Sequence, residues 1–191
     1  MGTVFYFFNH FVLLMIMKII QLNKEDKELA PRIATFYSFF TEVRGYLLKM
    51  IVDIDDEMLD FTPDERTVET IGTLLLHIAG VEWSWIIADI EGKEIPFEKW
   101  KHAYALSKDV DIPQLVGKGI QFYKDKLDNV RKEVFDKLKD FTDDDLERIV
   151  EIEGKKFSIE WILYHVLEHE AMHLGQISLL KRMYKLLDKE Q

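Results

Sequence analysis

The chain has 191 residues, 48% hydrophobic and 31% charged, a balance that suits one globular domain with a sizeable core and argues against disordered or fibrous classes. Against 35 Asp and Glu stand 25 Lys and Arg, a net charge of −10 with no basic stripe to offset it, so nucleic acid is not an expected partner. The absence of cysteine excludes a disulfide framework, a thiolate metal site and a cysteine nucleophile; it fits a reducing, cytoplasmic compartment and leaves imidazole and carboxylate as metal ligands.

Val4 to Leu22 is almost wholly apolar, broken by Asn9, His10, Lys18 and Gln21. It has neither the basic start nor the small-residue cleavage site of a secretory signal, and Tyr6 breaks the myristoylation pattern. Its polar interruptions disfavour membrane insertion. Residues 1–23 are therefore expected to be an apolar extension, packed on a domain at 24–191 or lying ahead of a start at Met17.

The domain opens with a helix over Pro31–Val52, where proline suits the first helical position and Ile33, Phe36, Tyr37, Phe40, Val43, Leu47 and Leu48 recur at helical spacing. Phe36, Phe39 and Phe40 serve either the core or a homodimer interface. An acidic connection, Asp53 to Asp60, precedes a capping box, Thr62-Pro63-Asp64-Glu65, that opens a short turn. A second helix is expected over Val68–Ile90, ending near Gly92. After a loop bearing Pro96, Phe97, Trp100 and Tyr104, a third helix is expected from Pro113 to Lys139. Thr142 and the three aspartates behind it cap a short turn, and the alternation around Gly154 predicts a hairpin over Ile149–Phe157. Ser158 caps the fourth helix, Ile159 to Leu187. Four long helices without sustained strands predict an all-α, up-down four-helix bundle.

The chemistry centres on His169-Glu170-Ala171-Met172-His173. Histidines four apart share a helix face, and at about 100° per residue His165 and Gln176 join the same stripe. On a core-facing stripe each imidazole needs a partner, and the choice lies between metal ligation and hydrogen bonds to backbone carbonyls. In the second helix, His77 is surrounded by Thr70, Thr73, Val81, Ser84 and Ala88, small and hydroxyl-bearing neighbours that leave room for a pocket. His10 and His102 read as structural or exposed.

The pentapeptide also fits the zinc-protease pattern H-E-x-x-H, but Leu174-Gly175-Gln176-Ile177-Ser178-Leu179 follows it, with glycine misplaced and no third histidine. A di-iron carboxylate bundle needs E-x-x-H twice; Glu170-Ala171-Met172-His173 supplies it once.

The segments Ile71-Gly72-Thr73-Leu74-Leu75-Leu76-His77-Ile78-Ala79-Gly80-Val81-Glu82-Trp83 and His165 to Ile177 resemble the DinB/YfiT-like superfamily of metal-binding four-helix bundles. The likeness spans roughly residues 30–187 and departs from the family at Met172 and Leu174, where histidine and arginine are common. It implies a divalent-metal site of His77, His169 and His173, with zinc the first expectation and nickel the second, since imidazole suits both. It implies a homodimer and a metal-dependent transferase that activates a low-molecular-weight thiol toward a small-molecule substrate. A non-catalytic metal-binding or stress-response domain and a metal-water hydrolase are the competing readings. Glu170, about 80° off the ligand face, is either a general base or a solvated helix residue; His165 and Gln176 are candidates to support the ligands.

Overall fold

The computed structural model describes residues 21–22, 26–64, 69–105 and 112–187. The extension assigned to residues 1–23 and the proposed start at Met17 fall almost wholly outside them. Among the described residues six α-helices follow in order: α1 (Pro31–Met50), α2 (Asp56–Asp60), α3 (Ile71–Trp83), α4 (Phe97–Trp100), α5 (Ile120–Leu138) and α6 (Ile159–Leu187). The long ones, α1, α3, α5 and α6, form the bundle, and a two-stranded antiparallel hairpin, β1 (Ile149–Ile152) and β2 (Lys155–Ser158), leads into α6. Trp100, Tyr123 and Phe40 are the largest side chains fully inside, so Phe40 belongs to the core and not to an interface.

Local chemistry sets the boundaries. Asp55 caps α2 by accepting from the Met58 amide, Thr70 caps α3 by accepting from the Thr73 amide, and the Ser158 hydroxyl accepts from Trp161 in the first turn of α6. The hairpin turns at Glu153 and Gly154, both at positive φ. α5 begins seven residues later than the proline at position 113 suggests, because Gly117 is left-handed and Gly119 extended. The intervening segment is used elsewhere: the Gln114 side chain accepts from the Thr70 amide, and the Leu115 carbonyl accepts from the Tyr123 hydroxyl.

The helix directions are up, down, down, up. α1 and α6 run parallel, with Arg32 on Glu160 near their starts and Lys181 on the Met50 carbonyl near their ends. α3 opposes α6, since Trp85 just past its end meets Trp161 while Leu74 near its start lies beside Leu180. α5 follows α3, with Tyr123 on Gly72 and Glu133 on Trp83. The bundle is thus as expected, but strict alternation breaks between α3 and α5, where the long connection 84–119 carries the chain back to its starting end. By length and composition Ile71–Glu91 could also cross a membrane, yet 83% of its most apolar window is buried. Its apolarity is that of a central bundle helix.

Candidate metal centre

His77 comes from the middle of α3, and His169 and His173 from successive turns of α6. Where the two helices pass, their ring nitrogens gather: His77 Nε2 and His173 Nε2 each lie 3.1 Å from His169 Nε2. One ligating atom from each residue fits within 4.8 Å of the others, and all three side chains are half-buried.

The opposite ring edges explain why Nε2 faces inward. His77 Nδ1–H donates to the Ala103 carbonyl at 2.7 Å, and a carbonyl can only accept, so the neutral ring leaves its Nε2 lone pair pointing into the centre. His173 Nδ1–H donates to Gln176 Oε1 with the same consequence. Two lone pairs therefore converge on a third nitrogen, and a proton on His169 Nε2 could satisfy only one of them. A cation satisfies all three. Tetrahedral ligation by imidazoles places neighbouring nitrogens about 3.3 Å apart, close to the separations found, so the donor set fits a divalent metal ion.

The electrostatics favour the neutral rings that ligation requires. Burial pushes His77 down to about 4, with the Ala103 bond opposing and His173 adding to the effect. Burial and the neighbouring imidazoles take His169 to about 3. His173 is lowered as well, again by burial, against the Gln176 bond and the Glu69 carboxylate.

The Ala103 carbonyl reaches His77 because the connection between α3 and α5 runs back along α3. Gly80 permits this approach: a Cβ at that position would lie 2.6 Å from the Ala103 Cβ and 3.3 Å from Cε3 of Trp100. Beyond Glu82 the helix widens to π geometry over Ser84–Ala88, a local bulge of the kind often found beside sites, and Trp85 there faces α6.

The remaining sequence candidates separate. Gln176 supports His173, as described. His165 stacks on Trp161 at 4.9 Å and 10°, meets Trp85 edge-on at 5.0 Å, and lies 6.1 Å from His169 between ring centres. It belongs to an aromatic group with Trp85, Phe157 and Trp161 that meets the three-histidine group through His165. His102 bonds the Pro113 carbonyl away from the histidine group.

Glu170 requires a correction. It is neither solvated nor placed as a base: it is 3% exposed, its Oε1 accepts from Arg44 Nε at 2.6 Å, and its Oε2 accepts from Arg131 Nη2 at 3.1 Å. A carboxylate with both oxygens held by guanidinium groups is not free to take a substrate proton. Glu82 of α3 completes the arrangement, accepting from Arg131 Nε at 2.6 Å and Arg44 Nη2 at 2.7 Å. Arg44, Glu82, Arg131 and Glu170 thus supply one charge from each long helix, two of each sign, all buried. Burial alone would raise the Glu82 carboxyl, but the two guanidinium groups outweigh it and hold it below its ordinary range.

Comparisons with known proteins agree with this architecture. Residues 40–177 match the family model described as the DinB superfamily. The chain is 31% identical over 122 residues to the uncharacterized protein YizA of Bacillus subtilis strain 168, covering 62% of this chain and 67% of that protein. With the uncharacterized protein YkkA of the same organism it shares 26% over 164 residues, 83% of this chain and 91% of the relative. Among solved structures, a DinB-like protein from Bacillus cereus ATCC 10987 superposes with a TM-score of 0.60 at 21% identity, over 78% of this chain and 91% of the other. A conserved protein from Enterococcus faecalis gives 0.60 at 13%, over 78% and 94%. At these identities the structural likeness establishes the fold.

Proposed function

Because the chain belongs to the DinB superfamily, we propose that its three-histidine group is a divalent-metal centre, zinc before nickel, serving a transferase that uses a low-molecular-weight thiol as nucleophile. The observation that carries the reading is the convergence of three Nε2 atoms with two of the opposite ring edges fixed by Ala103 and Gln176. A divalent ion bound there supplies Lewis acidity at an open coordination position and favours the thiolate form of a thiol that reaches it.

The protein's own contribution is orientation and dryness. His77, His169 and His173 present neutral nitrogens at neutral pH. The Ala103 carbonyl and Gln176 fix two of the ring tautomers, as supporting groups do around metal ligands. The aromatic group of Trp85, Phe157 and Trp161 limits water where it meets the histidines through His165. With no cysteine in the chain, the sulfur nucleophile must arrive with the cosubstrate.

The test combines metal content with turnover. Protein purified without a histidine tag is expected to carry about one divalent ion per chain. Conjugation of small electrophiles is expected to require an added thiol and to disappear on chelation and in His77→Ala. Turnover without any thiol would favour hydrolysis, and bound metal without turnover under any thiol would favour the non-catalytic reading.

A further inference from the structure

The seam between α3 and α6 continues past the histidines in both directions. Toward Trp85 it is filled by aromatic rings. In the other direction lies a cavity of about 270 Å³ lined by Glu69, Leu74, Gln176, Leu179, Leu180 and Met183. It lies next to the three-histidine group on both helices: Leu74 is one turn before His77, and Gln176, one turn after His173, is the acceptor of its Nδ1–H.

The chemistry of this cavity is one-sided. Leu74 and Leu180 are buried and Leu179 is half-exposed, so its walls are apolar with an accessible mouth. The acidic residue among its described lining residues is Glu69, which lies within electrostatic reach of His173. No lysine or arginine is among the described lining residues. Among the described lining residues an anionic ligand would meet a carboxylate and no cationic side chain, in a protein whose net charge is −10.

We propose that this cavity binds a small apolar amine, its hydrocarbon part on Leu74, Leu179, Leu180 and Met183 and its ammonium group paired with Glu69. This names the class of compound brought to the His173 side of the centre. Its role in turnover rests on the transferase reading above, whereas binding itself requires no metal. The apolar walls supply affinity, and the carboxylate supplies discrimination among molecules of the same length.

The full chain, stripped of metal by a chelator, is titrated with n-hexylamine, 1-hexanol and hexanoate and followed residue by residue by nuclear magnetic resonance. Hexylamine is expected to move the signals of Leu74, Gln176 and Leu180 and to bind about tenfold more tightly than hexanoate at neutral pH. Glu69→Gln is expected to erase that preference. Leu179→Trp, at the exposed mouth, is expected to weaken the amine while leaving the rest of the spectrum in place. Equal binding of hexanoate or hexanol, a preference that survives Glu69→Gln, or no movement at these residues under millimolar amine would overturn the proposal. Since no metal is present, failure here is separate from failure of the metal reading, which the metal content reports independently.

Discussion

Gly80 sets how closely the connection between α3 and α5 approaches the histidines. A methyl at that position would collide with the Ala103 Cβ, and the backbone that must yield carries the carbonyl that fixes His77. Gly80→Ala is therefore expected to lower zinc affinity about 10- to 100-fold, the range for lost support of a ligand, as read by competition with a chelator. An unchanged affinity would show that the Ala103 bond does not orient the ring. The imidazoles also impose a pH dependence. Folded His77 titrates near 4 and His169 near 3, against 6.5 for an ordinary histidine. Below about 6.5 the unfolded chain takes up protons that the folded one refuses, so stability is present above that pH and is lost as pH falls toward 4 and 3. Urea midpoints of the metal-free protein are expected to fall across this window, and the fall should be shallower in His77→Gln. A flat profile would contradict the burial of these rings.

Among the elements, the four long helices are tied by Arg44, Glu82, Arg131 and Glu170, and these charges act as a unit. Removing one guanidinium by Arg44→Met leaves two buried carboxylates with a single partner, and is expected to cost about 3–5 kcal/mol in urea denaturation. Replacing all four with apolar residues of similar volume is expected to recover most of that loss, since no desolvated charge is then left. If the single variant is as stable as the parent, the network is not a desolvated unit. The sequence carried a signal for it: Glu82 is the one charge between Ile71 and Ala88, and a lone carboxylate in so apolar a helix needs a buried partner. Which partner was not legible, because Arg44 and Arg131 lie far away in sequence and meet Glu82 only through the bundle. Glu170 could be misread for the same reason, as the helical angle gives its direction but not what the neighbouring helices bring to it. The capping residue Ser158 and the hairpin at Gly154 were legible, since a cap or tight turn is decided within a few residues, whereas the spacing puts the start of α3 near Val68 and passes over the cap at Thr70.

At the scale of the molecule, the number and order of the long helices follow from hydrophobic spacing, but their directions and the short helices α2 and α4, expected as connections, do not. Parallel α3 and α5 depend on the described segment 97–105 folding back along α3, through the close approach at Gly80 and the Ala103 contact with His77. The same return positions the support of one histidine, so topology and the candidate metal centre are linked. His169 and His173 could be paired from their spacing. The placement of His77 beside them required the antiparallel packing of α3 on α6. The central claim is that these three side chains hold one ion, and its most direct measurement is calorimetric titration of the tag-free, chelator-stripped chain with zinc. The account predicts one ion per chain, with an affinity reduced about 100-fold or more in His77→Ala. Failure to bind zinc or nickel, or binding that His77→Ala leaves unchanged, would contradict it.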